Sequence, residues 1–177
     1  MKMNKLKLFT NIFMSIAITT IASTCFASST EHSTKYIIRG SSMAPTLKTN
    51  CVYDAVYTVP TSTYEINRND IITFNRKNSQ IIKRVIGLPG DVIVALGKRE
   101  GYIRNGHRVY ESFICDQNYK YDECPQPKTY VVPENCLFVL GDNREVSYDS
   151  SDYDYPFINI KDVNSKIVKM TFSRVAD

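Results

Sequence analysis

Apolar residues in this chain come in short runs separated by polar or turn-forming residues, and the longer runs tend to alternate. That pattern favours strands over helices. Across residues 51–59 the apolar positions Val52, Ala55, Val56 and Val59 predict a strand ended by Pro60. Residues 61–69 form a connecting loop. The runs 70–74 and 80–86 flank a polar stretch, 76–79, and predict a hairpin. Further strands are predicted over 91–96, 129–132, 136–140 and 166–172, with a turn at 97–101. Residues 102–110 contain Asn105-Gly106, a strong hairpin-turn signal. Tyr36-Ile37-Ile38 forms one more short strand. Many short strands with turn punctuation predict a mostly β domain, either barrel-like or built from folded antiparallel sheets.

One stretch breaks the pattern. Lys2, Lys5 and Lys7 precede residues 8–26, which are mainly apolar but interrupted by Thr10, Asn11, Ser15, Thr19, Thr20, Ser23 and Thr24. This is the layout of an export signal, with Ala27 as a small residue at a cleavage point. A membrane span needs roughly 20 predominantly apolar residues, and this segment has the length but is rather polar. Its positive end would stay in the cytoplasm and send the rest of the chain outward. The expected organisation is a signal or anchor segment over 1–27, a polar linker over 28–35 and a single domain over 36–177.

Composition narrows the function. With 177 residues and 43% hydrophobic content, the chain suits one globular domain plus a short leader. The formal charge is +4, and the three leader lysines supply most of it, leaving +1 (4 − 3). No basic patch for nucleic acid survives that subtraction. The two histidines, His32 and His107, lie far apart, and no Cys/His spacing suits zinc. Twelve tyrosines and no tryptophan fit a strand-rich chain. Of the five cysteines, Cys25 lies in the leader, and Cys51 and Cys136 sit beside apolar strands as small buried residues. Cys115 and Cys124 bracket a polar loop and would close it by a disulfide in an exported protein.

Three dispersed segments carry the candidate chemistry. The first is Gly40-Ser41-Ser42-Met43-Ala44-Pro45-Thr46-Leu47. A serine hydroxyl is a weak nucleophile and needs a neighbouring base. The second, Ile81-Ile82-Lys83-Arg84-Val85-Ile86-Gly87-Leu88-Pro89-Gly90-Asp91, places a lysine inside an apolar run. Burial disfavours its charged form, so it can serve as a neutral base. Lys83 and Arg84 are consecutive on a strand and point to opposite faces. The third is Gly141-Asp142-Asn143-Arg144-Glu145-Val146-Ser147-Tyr148-Asp149-Ser150, after the apolar run 136–140.

In this order the segments resemble the boxes of type I signal peptidases, the Ser-Lys serine proteases that remove signal peptides. The family boxes are Ser-Met-x-Pro-Thr, Lys-Arg-Val-x-Gly-x-Pro-Gly-Asp and Gly-Asp-Asn-x-x-x-Ser-x-Asp-Ser, and the resemblance covers roughly residues 36–160. It implies a similar β fold with an N-terminal hydrophobic helix. It implies Ser42 as nucleophile, Lys83 as general base, and Ser147 as the residue that orients the lysine. Arg84 would point away and pair with a carboxylate, and Asp142 and Asn143 would hold their loop by side-chain hydrogen bonds to the backbone. The backbone N–H of Ser42, with the region around Gly40, would bind the oxyanion. Tyr36, Ile38, Met43 and Ile82 would line the substrate pocket. Substrates would be preproteins with small residues before the cleaved bond, at a membrane, without cofactor, metal or nucleic acid.

The chain departs from the family pattern in two places. Asp149 matches an aspartate that pairs with an arginine two residues later, where this chain has Ser151; Arg144 or Arg84 would have to substitute. Many members carry a serine hydroxyl for the oxyanion at the position of Gly40, so Gly40→Ser is expected to raise activity. Two alternatives stand beside a general signal peptidase. One is a specialised maturation peptidase for a conjugation or pilus precursor. The other is an inactive exported β-domain that binds peptides. A self-cleaving repressor, also a Ser-Lys protease, needs a helical DNA-binding domain in place of an export leader.

Overall fold

A computed structural model describes residues 30–98, 101–112, 126–154 and 156–175. They form two antiparallel sheets. The larger has seven strands in the order β1-β2-β11-β3-β4-β9-β10, and the smaller has four in the order β7-β6-β5-β8. The strands are β1 His32–Ile38, β2 Cys51–Thr58, β3 Ile71–Arg76, β4 Ser79–Gly87, β5 Val92–Gly97, β6 Gly101–Arg104, β7 His107–Arg108, β8 Lys128–Val131, β9 Cys136–Leu140, β10 Ile158–Asn159 and β11 Val163–Val175. Short 3-10 turns at Thr63–Glu65 and Ile160–Asp162 complete the described elements.

Strand β9 shows why the sequence folds this way. All five of its residues, Cys136-Leu137-Phe138-Val139-Leu140, are buried. Successive side chains on a strand point to opposite faces. Leu137 and Val139 accordingly join a core with Ile72, Phe74 and Val85. Cys136, Phe138 and Leu140 join a second core with Ile93 and Tyr102 of the small sheet and Val132 just after β8. A continuous apolar run is what a strand packed on both faces requires. The two sheets meet closely at Gly87, where a Cβ would lie 3.0 Å from Val132, 3.1 Å from Phe138 and 3.2 Å from Ile93. Alternation likewise sends Val85 of β4 into the first core and Ile86 into the second, and the pairing with β9 shifts register between Val85 and Gly87.

A third core lies under the β1–β2 connection. It contains Ile38, Met43, Leu47, Cys51 and Tyr53, with Tyr36, Ile71, Ile82 and Met170 packed against it. Ile38 belongs to β1, Ile71 to β3 and Ile82 to β4, although β2 and β11 separate β1 from β3 in the sheet. The sheet therefore curls until its first strand meets its middle ones. It does not close. Its terminal strands, β1 and β10, do not pair, so the folded-sheet expectation holds and the barrel does not.

Most predicted strands appear within one or two residues of their expected bounds. Asn105 and Gly106 both have positive φ, 51° and 82°, as the two central residues of the predicted tight turn must. The first strand is longer than expected, beginning at His32 inside the segment read as linker and pairing along β2 from His32↔Tyr57 to Ile38↔Cys51. The expected N-terminal hydrophobic helix, with the whole 1–27 segment and Cys25, lies outside the described residues. So do Cys115 and Cys124, the disulfide candidate. Cys51 and Cys136 are free and buried.

Candidate active site

The β1–β2 connection carries Ser42. Gly40 enters it at φ +84°, and the turn continues with Ala44 N–H donating to the Ser41 carbonyl at 3.0 Å and Leu47 N–H to the Met43 carbonyl at 2.8 Å. The Ala44–Pro45 peptide is cis. Asn50 N–H closes the loop onto the Ile38 carbonyl at 2.8 Å. Met43 and Leu47 are buried in the third core and fix the loop from beneath. Ser42 itself stays half-buried and Ser41 exposed.

Strand β4 delivers Lys83. Its Nζ lies 2.6 Å from Ser42 Oγ. The lysine is only 4% exposed. Burial pushes its amine below the usual lysine range, and the nearby carboxylates of Asp149 and Asp142 oppose that shift in part. Arg84 diverges from it. The guanidinium takes Asp142 in a two-point contact, Nε to Oδ1 at 2.8 Å and Nη2 to Oδ2 at 2.6 Å, and also donates to the Asn69 carbonyl at 2.8 Å. Thr46 donates its hydroxyl to the same Asp142 Oδ2 at 2.5 Å. One carboxylate thus ties the lysine strand, the serine loop and the loop after β9.

That last loop wraps against the loop that carries Ser42. Asn143 N–H donates to the Ser42 carbonyl at 2.9 Å, and the Asn143 carbonyl accepts Ser147 N–H at 3.0 Å. Asn143 therefore works through its main chain, and Asp142 binds side chains; the expected side-chain to backbone bonds are not the ones that hold these two residues. Ser147 Oγ is buried and has no hydrogen-bond partner among the described residues. Lys98, at the end of the small sheet, donates to the Ser147 carbonyl at 2.9 Å and pairs with Asp152 at 3.1 Å.

The aspartate expected to lack its partner has found others. Asp149 Oδ2 accepts Gly141 N–H at 2.9 Å, and its Oδ1 accepts Ser151 N–H at 3.2 Å and the Ser151 hydroxyl at 2.9 Å. Ser151 thus serves the carboxylate from the position where the family places arginine. Of the two proposed substitutes, Arg84 holds Asp142, and Arg144 pairs with Glu111 in a buried contact while its Nε donates to the Gly141 carbonyl at 2.9 Å. Tyr102 adds a hydrogen bond to Glu111 at 3.0 Å. Burial, with the Glu111 charge beside it, raises the Tyr102 phenol far above its usual range.

The four pocket candidates share the third core. Ile38 and Met43 are buried within it; Tyr36 and Ile82 are partly open. Sequence reasoning passed over Thr46, Lys98 and Glu111, and read Ser151 only as the loss of a partner for Asp149. Thr46 had a signal, since it ends the Ser-Met-Ala-Pro-Thr segment. Lys98 and Glu111 are joined to the site only by the fold.

A β scaffold that sets a reactive hydroxyl beside a desolvated amine suits acyl transfer, and comparison with known proteins fixes the class: the chain is a serine peptidase, a hydrolase. The model of the signal peptidase family, peptidase S26, matches residues 6–172, and the chain belongs to that family. Signal peptidase IB of Staphylococcus aureus (strain COL) is 35% identical over 129 residues, 66% of this chain and 67% of the relative. Signal peptidase I of Bacillus caldolyticus is 34% identical over 134 residues, 70% of this chain and 72% of the relative. A crystal structure of a signal peptidase I from Enterococcus faecalis V583 is 30% identical and covers 59% of this chain and 97% of its own, with a TM-score of 0.49.

Proposed function

We propose that this protein removes signal peptides from exported preproteins, with Ser42 as nucleophile and Lys83 as general base. The observation that carries the assignment is the 2.6 Å approach of Lys83 Nζ to Ser42 Oγ by an amine held below its usual range. A neutral amine at that distance can take the hydroxyl proton as Oγ attacks the scissile carbonyl carbon. The backbone N–H of Ser42, beside Gly40, stabilises the oxyanion. The C–N bond then breaks, and the lysine ammonium returns its proton to the leaving amine. Water, activated by the same lysine, hydrolyses the ester on Ser42 and frees the enzyme. Ser147, whose buried hydroxyl holds no partner among the described residues, is the group left to turn to the amine and orient it during the reaction.

Tyr36, Ile38, Met43 and Ile82 form the wall against which small side chains before the cleaved bond are selected. The substrate runs extended along the strand edges beside Ser42, in the manner of an added strand. Residues 1–27 act as export signal or anchor and place the 36–177 domain on the outer face of the membrane. No helix among the described residues is long and apolar enough to cross a bilayer.

The test is cleavage of a preprotein carrying an Ala-x-Ala site by the purified full chain in detergent, beside Ser42→Ala and Lys83→Ala. Cleavage by the unmutated protein and its loss in both variants is the expected result. Full activity in Lys83→Ala would remove the lysine from the mechanism. Cleavage of a pilin-type precursor alone would redirect the substrate to the specialised branch.

A further inference from the structure

Three hydroxyl side chains form a chain behind the pocket wall. Tyr36 Oη lies 3.1 Å from Ser165 Oγ, and Ser165 Oγ lies 2.6 Å from Thr73 Oγ1. Ser165 and Thr73 are each 1% exposed, while Tyr36 is half-buried. The register does not explain the first contact. Tyr36 stands opposite Tyr53 on β2, and Tyr53 stands opposite Phe172 on β11, seven positions along that strand from Ser165. Tyr36 reaches Ser165 across the inside of the curled sheet. The second contact follows the register, since Ser165 pairs with Thr73 and Thr73 pairs with Ile82.

The chain therefore ends at Tyr36, and its other end, Thr73, stands beside Ile82 on the same face of the sheet. Both pack on the core that holds Met43, the residue after Ser42, and Ile82 immediately precedes Lys83. We propose that Ser165 and Thr73 are specificity-positioning residues: by anchoring the Tyr36 phenol they stop the pocket wall from retreating and restrict the enzyme to small side chains. Neither residue touches the substrate. This inference rests on the proposed signal-peptide cleavage and assigns how its side-chain selection is set.

The physics is that of a buried polar network. A withdrawn ring would cost the buried Ser165 hydroxyl one of its two partners in a place where water does not compensate. Without the anchor, the ring is held only by apolar contacts and can move to admit a branched side chain. One methylene in such a pocket changes the ratio of kcat/KM values by about tenfold or more.

The experiment uses the purified full chain in detergent with a peptide panel. Alanine, serine, valine and leucine are placed separately at the first and third positions before the cleaved bond. In Ser165→Ala, Thr73→Val and Tyr36→Phe, kcat/KM for valine relative to alanine is expected to rise about tenfold at one of the two positions. Thermal unfolding of each variant shows which retain the fold, and any one of the three that does carries the test. Ratios unchanged from the parent in folded variants overturn the proposal. A parent protein that cleaves no Ala-x-Ala peptide overturns the proposed function instead, which is a separate result.

Discussion

Gly141 has no room for a side chain beside Ser147: a Cβ there would stand 2.3 Å from Ser147 Oγ and 2.5 Å from the Ser42 carbonyl oxygen. No rotamer relieves the second clash, because it is with main chain. Gly141→Ala is expected to push the Ser42 loop and the Ser147 loop apart. A displacement of about 1 Å can cost on the order of 100-fold in rate. Single-turnover cleavage beside the circular dichroism spectrum measures this, and wild-type turnover would show that the two loops move together without harm.

Lys83 should set an acid limb in the pH profile. Burial lowers its folded-state pKa from 10.5, and the base must be neutral. Activity is lost as pH falls through that lowered value and is retained above it. Stability has the same sign. Between the lowered pKa and that of the unfolded chain, the unfolded state binds more protons, so stability rises with pH across that window. Lys83→Met removes the burden and is expected to unfold at higher temperature near neutral pH, with a flatter dependence of Tm on pH. A lower Tm would mean that the amine is stabilising where it sits.

The Arg84–Asp142 pair should be costly to break from either side. Both side chains are buried, 10% and 0% exposed, so removing one strands the other charge. About 3–5 kcal/mol is typical of such a loss. Urea unfolding of Asp142→Ala is expected to show it, and Arg84→Met combined with Asp142→Leu to recover part. If the double variant is no better than the sum of the single ones, the stranded charge is not the cause.

Gly40→Ser now carries an expectation opposite to the one its sequence suggests. Open space surrounds a Cβ at Gly40, but φ is +84°, where L side chains are strained. The strain is about 1–2 kcal/mol, and each 1 kcal/mol lowers Tm by roughly 2–4 °C in a chain of this size. Differential scanning fluorimetry should show a lower Tm, and the cleavage assay no gain in kcat. A faster enzyme at unchanged Tm would restore the oxyanion argument.

Much of this was legible in the sequence, for definite reasons. Strand β9 is a run of five apolar residues, and the Asn105-Gly106 turn has a conformational signature of its own. Ser42, Lys83 and the Asp142–Asp149 loop stand in recognisable segments. The first half of β1 was not legible, because an exposed edge strand with the sequence His-Ser-Thr-Lys has no buried face to impose alternation. Strand β10 is two residues long, too short for any period. The partner of Arg84 could be expected only as an unnamed carboxylate, since 58 positions separate it from Asp142. Glu111 and Arg144, 33 apart, carried no signal at all, and Ser151 looked like a loss until its hydroxyl was seen on Asp149.

The bond from Asn143 N–H to the Ser42 carbonyl has a consequence for how this enzyme can change. It belongs to the main chain, so no exchange of the Asn143 side chain short of proline can delete it. Apart from a side chain forced in at Gly141, what can break it is a residue added to or removed from the stretch between Leu140 and Ser147. The alignment of the reacting groups is in that sense measured out by the count of residues in a loop, and the chain is free to vary its surface while that count is kept.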